Sequence, residues 1–333
     1  MVLENIRVSI GSASALGLRN TKSDVAPTTC YIMTYKKGYC SANCGFCPQS
    51  RSSKTSAEKL SRINWPIFDF KTFLMKLKYL SALKKFKRIC IQTLKYPQNF
   101  EDLKEIVSRI REVSDIPISI AIPPMDKDQL EHLKLIGVQR VGIALDGATE
   151  ELFERVKGDG VNGPYSWSRH FDSLKEALEV FRKGNVSTHL IVGLGETTKE
   201  IITLLDKLHK MCITSALFAF TPVKGTKLAN LQQPPELRFR KIQLARHLIL
   251  HENKHAKDFT FNSKEDLINF NINKNRLWRV IDEEKEAFMT SGCPDCNRPF
   301  YTSRPSGPIY NYPRPLHEKE KKRIYQNLTP FVR

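Results

Sequence analysis

From about residue 86 onward, short β-branched runs alternate with longer stretches whose apolar residues recur at helical spacing. The runs read KRICIQT, IPISIAIPP, QRVGIALDG, VSTHLIVGLG and SALFAFTPV, and the stretches between them span 100–113, 127–136, 171–183 and 198–211. An earlier strand is expected at 29–34, and a later helix at 235–251 followed by a strand at 258–262. Period-2 runs alternating with period-3.6 runs predict βα units around a parallel sheet. Six to eight such units make an α/β fold, a TIM-type barrel, full or partial, of the usual size of about 250 residues. The barrel is assigned to residues 29–265, an N-terminal extension to 1–28, and a C-terminal helix with a cysteine-containing, proline-rich extension to 266–333. Six prolines between Pro294 and Pro315 predict that the last forty residues wrap the barrel without regular structure.

In such barrels the chemistry gathers where strands end. Gln92, Thr93, Pro123, Asp146, the turn from Gly193 to Glu196, and Pro222 should therefore ring one cavity. Composition changes this picture little: 41% apolar and 26% charged residues in 333 suit a soluble globular chain. No apolar run nears the ~20 residues that span a bilayer, and no targeting peptide is evident, so the expectation is cytoplasmic with no membrane partner. Charge changes it more. Lys and Arg number 53 against 35 Asp and Glu, a net +18, which predicts an acidic partner, either nucleic acid or an acidic carrier protein, unless the surplus is a solvated surface.

Five of eight cysteines fall in two tight clusters, a pattern of metal binding rather than of disulfides. Cys40, Cys44 and Cys47 stand at C-x3-C-x2-C spacing in the loop after the first strand. Three thiolates on a 4Fe-4S cluster leave one iron open to bind and activate a small molecule; a zinc site completed by Cys30 is the alternative. With Phe46 just before the third cysteine, the motif resembles that of the radical S-adenosylmethionine superfamily. That resemblance implies a catalytic 4Fe-4S cluster with S-adenosyl-L-methionine, cleaved to a 5′-deoxyadenosyl radical that removes hydrogen from an unactivated carbon. Gln92 and Thr93 stand where the family commonly carries Gly-Gly-Glu to hold the methionine amino group. The segment Ile191–Thr197 (IVGLGET) resembles the fifth-strand motif of biotin synthases and implicates Gly193, Gly195 and Glu196, and Pro222–Leu228 resembles the next strand's motif. Asp146 is a candidate ribose or substrate ligand, although Asp-Gly is equally an ordinary turn. Arg155 is a candidate partner for the cofactor carboxylate, with a surface ion pair as the alternative.

Cys90 matches one position of the second-cluster ligand set of biotin synthase, but Ser187 and Ala121 stand where others belong. Cys293-Pro-Asp-Cys296 offers a different pair, in isolation equally a zinc half-site or a redox dithiol. Taken together, PTTCY, CSANCGFCPQSRSS, ICIQTLKYP and SGCPDCNRP resemble the biotin-synthase-like subunits of two-component archaeal lipoyl synthase. The resemblance implies a second, auxiliary 4Fe-4S cluster on Cys293, Cys296 and either Cys30 or Cys90, dismantled to supply sulfur. It also implies an octanoylated, acidic lipoyl-carrier protein as substrate, a companion subunit, and an electron donor such as ferredoxin. Ser303 and Ser306 are candidate oxygen ligands, with turn chemistry as the alternative, and Cys212 reads as a core thiol. Two other functions stay open: biotin synthase and, from a different class, a zinc-stabilised nucleic-acid-binding protein.

Overall fold

The structure, a computed structural model, describes residues 3–21, 24–284 and 286–333. Its strands, in chain order, are β1 (Asn5–Val8), β2 (Thr29–Met33), β3 (Lys59–Leu60), β4 (Ile63–Asn64), β5 (Ile67–Asp69), β6 (Arg88–Gln92), β7 (Ile118–Ile122), β8 (Val138–Ile143), β9 (Val186–Val192), β10 (Thr214–Ala219), β11 (Thr260–Phe261) and β12 (Leu267–Asn269). The main sheet runs β10-β9-β8-β7-β6-β2-β1-β5. The six strands from β2 to β10 in this sheet are mutually parallel, and β1 and β5 are antiparallel additions at one edge. The barrel is thus the partial form, and the segment before residue 29 contributes a strand to its sheet.

Alternation along each strand explains both faces. Ile89, Ile91, Ile118, Ile120, Val141, Ile143, Leu190 and Val192 are buried in the layer beneath the helices. Their neighbours Cys90, Gln92, Ala121, Gly142, Ser187 and His189 line cavities inside the barrel. Small and polar residues on the inner face leave room there, where bulky branched residues would have filled it.

The helices are α1 (Ile10–Ala15), α2 (Phe70–Ala82), α3 (Asn99–Arg111), α4 (Lys127–Leu135), α5 (Glu150–Val156), α6 (Trp167–Phe181), α7 (Thr198–Lys210), α8 (Glu236–Glu252), α9 (Lys274–Asp282) and α10 (Glu318–Leu328). In α7 the Thr197 hydroxyl accepts from the Glu200 N–H at 3.1 Å while the Glu200 carboxylate accepts from the Thr197 N–H at 2.7 Å. This reciprocal cap satisfies two orphan donors of the first turn and fixes where the helix leaves the Gly193–Glu196 turn. Ile201, Ile202, Leu205 and Leu208 then face the core.

An open sheet leaves the edge of β10 unpaired, and the C-terminal segment covers it. Leu217 donates its N–H to Ser291 Oγ at 2.9 Å and accepts from Asn311 Nδ2 at 3.0 Å. At the other side of the gap, Thr28 donates its N–H to Asn297 Oδ1 at 3.0 Å, and Asn297 Nδ2 donates to the Ala26 carbonyl at 2.9 Å. Fully buried Arg240 pins the segment from below, donating to Tyr310 O and to Gln243 Oε1, both at 2.6 Å. The expectation of no regular element in the last forty residues is corrected by α10, which begins after the final proline of the run and buries Ile324 and Leu328.

Glu284 ties α9 to α8 through His247 and Arg276, and the Arg276 hydrogen bond, the largest cause, holds its carboxyl down at about 2. A depressed carboxyl contributes stability that is full above its unfolded value near 4.5 and is lost as pH falls toward 2. Glu284→Gln should therefore flatten the acid side of the stability profile between those values, read by urea unfolding at stepped pH. An unchanged slope would show that the clamp carries no linkage.

Candidate active site

The loop leaving β2 is fixed by its own backbone. Cys40 N–H donates to Gln49 O at 2.9 Å, Arg51 N–H to Ala42 O at 2.9 Å, and Cys47 N–H to Cys44 O at 3.1 Å. Gly45 donates to Val156 O at 2.7 Å and accepts from Leu228 N–H at 3.0 Å, joining the loop to those following β8 and β10. Buried Asn43 crosses the loop, its Oδ1 accepting the Ser52 hydroxyl at 2.6 Å. The thiols of Cys40, Cys44 and Cys47 are free and border a cavity of about 200 Å3 that also meets Gln92, Thr93, Lys95 and Asp146. Cys40 Sγ accepts N–H bonds from Lys95 at 3.1 Å and Ala42 at 3.4 Å. Such bonds to sulfur help set the potential of any cluster bound there. Burial pushes the Cys44 thiol up to about 12, opposed by the Lys157 charge, so a metal must displace protons to bind. Among the described residues, no three His, Cys, Asp or Glu side chains converge where a single ion would sit. Three thiols around a volume suit a cluster better than the zinc alternative.

Lys157 and Lys95 are the lysines that border this volume, and Lys157 is paired. Its Nζ lies 2.7 Å from Asp146 Oδ2, with side-chain exposures of 7% and 11%, and 5.2 Å from the centre of the Tyr165 ring. Asp146 holds a left-handed φ of 64° where its strand breaks, and its N–H reaches His189 O at 2.8 Å. The pair cancels within itself, while Lys95, which borders the same cavity, has its Nζ 5.3 Å from the Tyr165 ring centre. Burial, and secondarily Lys157, lowers His170 to about 2, and burial lowers His189 to about 3, so both imidazoles are neutral. Asp146 borders both inner cavities, as a substrate or ribose ligand would, while one oxygen is committed to Lys157.

The other sequence candidates divide. Phe46 borders both cavities and packs on the cluster of Leu152, Val156, Leu194 and Phe220. Gln92 faces inward and donates its amide to Cys90 Sγ at 3.1 Å, whereas the Thr93 hydroxyl and N–H are both spent on Ala121 O at 3.0 Å. Gly193 and Gly195 take φ of 102° and 123°, and a Cβ on Gly193 would lie 2.9 Å from Pro234 Cδ, so the turn requires glycine. Glu196 is corrected from ligand to brace: its buried carboxylate accepts from Gly193 N–H at 2.7 Å and Leu194 N–H at 2.9 Å and pairs with Arg238 at 2.9 Å. Arg155 lies outside both cavities, 57% exposed and 3.9 Å from Glu151, with its guanidinium against the Gly195 turn, where Nη2 would stand 3.0 Å from a Cβ. Ser303 Oγ accepts from Tyr310 N–H at 3.0 Å, Ser306 is exposed, and Cys212 takes a left-handed φ of 61° just past α7.

A second chamber of about 190 Å3 continues from Phe46 and Cys47 to Cys90, at the middle of β6, and to Cys293 and Cys296. Tyr31 OH stands 3.3 Å from Cys296 Sγ and accepts the Arg298 N–H at 2.9 Å. Cys30 is not part of this group. It is fully buried in the outer layer beneath the helices, because residue 31, paired with Cys90 in the ladder, takes the inward position. Strand parity would have found Tyr31 and His189, which alternate with residues already singled out; nothing local marks Lys157, Tyr165 or Arg298.

A family model described as "Radical SAM superfamily" matches residues 36–208. The biotin synthase of Persephonella marina is 25% identical over 217 residues, covering 64% of this chain and 60% of that protein. The biotin synthase of Thermotoga neapolitana is 24% identical over 249 residues, 71% of this chain and 80% of its own. The chain thus spans about three fifths of the length of the first of these relatives. A crystal structure of methylornithine synthase shares the fold, with a TM-score of 0.52 at 17% identity over 66% of this chain and 62% of that one. Among the described residues, no helix is long and apolar enough to cross a membrane.

The buried pair beside the cysteine loop makes a direct prediction. Asp146→Asn keeps the left-handed backbone but strands the Lys157 ammonium, which should cost about 3 kcal/mol in urea unfolding. Adding Lys157→Met should recover most of that loss. A double variant no more stable than the single would show that pairing is not the source.

Proposed function

Because the chain belongs to the radical SAM superfamily, we propose that it is a sulfurtransferase inserting sulfur into the octanoyl chain of an acidic lipoyl-carrier protein. One observation carries this reading: two sets of three free cysteines line two adjoining cavities that share Phe46, Cys47, Gln92 and Asp146, the second of them largely apolar. An extended acyl chain laid between them has a hydrogen-abstracting centre on one side and a sulfur source on the other. When bound, a three-thiolate 4Fe-4S cluster with S-adenosyl-L-methionine supplies hydrogen abstraction from an unactivated carbon.

The chain's own residues do the rest. Cys40, Cys44 and Cys47 hold the catalytic cluster, with the Lys95 and Ala42 amides supporting the first thiolate. Gln92, Asp146 and Phe46 border the space for the cofactor, and Gly193 and Gly195 shape the neighbouring turn. Trp65, Phe218 and Tyr301 wall the chamber and exclude water. Cys90, Cys293 and Cys296 hold the auxiliary cluster. Residues 34–64 and 220–232 carry eight Lys and Arg against one carboxylate, Glu58, and are joined at the mouth by Lys54 N–H to Gly225 O at 2.8 Å. That collar suits an acidic carrier and predicts salt-sensitive association. A companion subunit and a ferredoxin-like donor complete the proposal. Sulfur insertion into dethiobiotin is the second reading, favoured by the biotin synthases among the relatives.

Anaerobically prepared protein should carry about eight irons and eight sulfides per chain. Cys90→Ser should retain only about half of them, while Cys30→Ser should retain all. Octanoylated carrier should elicit 5′-deoxyadenosine and thiolated product, and any one of the Cys40, Cys44 or Cys47 to Ala variants should abolish both. Turnover of dethiobiotin with no response to octanoyl or monothiolated carriers would replace this reading with the second.

A further inference from the structure

Arg298 lines the cavity with Cys90, Cys293 and Cys296, and Arg88, Arg140 and Arg246 lie behind it; among the described residues none of the four forms an ion pair with a carboxylate. Arg88, 6% exposed, donates to Ser119 Oγ and Gln139 Oε1, both at 2.9 Å, and its Nε is buried without a partner. Arg140, 7% exposed, donates to Gly184 O, and its Nε is likewise orphaned. Arg298 donates to Ser291 O and lies 4.0 Å over the Phe218 ring; Arg246 donates through Nε to Ser215 O at 2.9 Å. Every acceptor these four meet is neutral. The carboxylate of Asp295, between the two distal cysteines, is turned to Lys87 at 3.0 Å on the surface, and Glu286 acts on Arg246 without forming an ion pair.

Cations kept in a poorly solvated place without counter-ions are costly unless an anion joins them. The nearest candidates are the three thiols. Arg88 acts electrostatically on all three of them, and Arg298 on Cys90 and Cys296. At the site around Cys40 the buried Lys157 is paired with Asp146 at 2.7 Å, and the other lysine on that cavity is Lys95. Cluster potentials follow the charge and hydrogen bonds around the sulfurs.

We infer that Arg88 and Arg298, backed by Arg140 and Arg246, raise the reduction potential of the cluster held by Cys90, Cys293 and Cys296, so that it takes up the electron released when sulfur joins carbon. This inference rests on the sulfurtransferase reading. The balance is closed: the substrate radical brings one electron and a bridging sulfide brings a lone pair. Two of the three electrons form the carbon–sulfur bond, and the third reduces one ferric iron of the same cluster to ferrous. No external oxidant is needed for that step. Arg88 and Arg298 are positioning residues here, acting through the field they impose.

The test is a redox titration of the full-length, two-cluster protein followed by electron paramagnetic resonance, with Cys90→Ser identifying the distal signal by its loss. The distal cluster should titrate at the higher potential. Arg88→Gln and Arg298→Gln should each move it to lower potential and leave the other cluster in place, while Arg298→Lys, which keeps the charge, should restore most of the shift. Arg140→Gln, on β8 two strands from Cys90, should give a smaller shift of the same sign and covers the case in which a nearer variant fails to fold. Distal midpoints unmoved in the Gln variants of a protein that holds both clusters and thiolates octanoyl carrier would overturn this inference alone. A wild-type protein with only one cluster would remove the sulfurtransferase reading and this inference together.

Discussion

The structure depends on how an open sheet is finished. Six parallel strands do not close on themselves, so β10 presents an unpaired edge and the space inside lies open to one side. Leu217, at the middle of that edge, has both backbone groups taken by Ser291 and Asn311. Burying a sheet edge without partners would leave several polar groups unsatisfied, and the C-terminal segment removes that cost while walling the chamber. Its turn around residues 291–298 then places two thiols opposite Cys90, whose inward position is fixed independently by the pairing of β6 with β2. One requirement of backbone hydrogen bonding thus assembles a site from segments two hundred residues apart.

The two ends of the chamber are electrically unlike. Near the opening loop, a lysine and an aspartate cancel and two histidines are held neutral by burial. At the far end, guanidinium groups meet only neutral oxygens. The cavities therefore pass from a buried lysine that is paired to arginines that are not, a polarity that apolar walls such as Trp65 and Phe218 do little to screen.

Much of this was legible in the sequence, for physical reasons. All six parallel strands and the cysteine loop were found because buried strands alternate strongly and thiols at close spacing have few other uses. α2 was not found, since Met75 and Tyr79 are exposed and blur the apolar face made by Phe70, Phe73 and Leu77. β1 is too short to show a period, and α10 is so charged that the prolines before it masked it. Glu196 and Arg155 show the limit at the site: a carboxylate that braces a turn and one that holds a ligand have the same local sequence, and only tertiary placement separates them. The choice between Cys30 and Cys90 likewise needed the register, which puts Tyr31 inward and Cys30 out.

Gly45 carries one further consequence. Its single peptide neighbourhood is bonded on one side to Val156 and on the other to Leu228, so the exits of three separate strands are stitched through a residue lying between two of the thiols. The cysteine loop is therefore tied at one residue both to the end of α5 and to the segment after β10, so displacing either pulls on the thiol-bearing backbone.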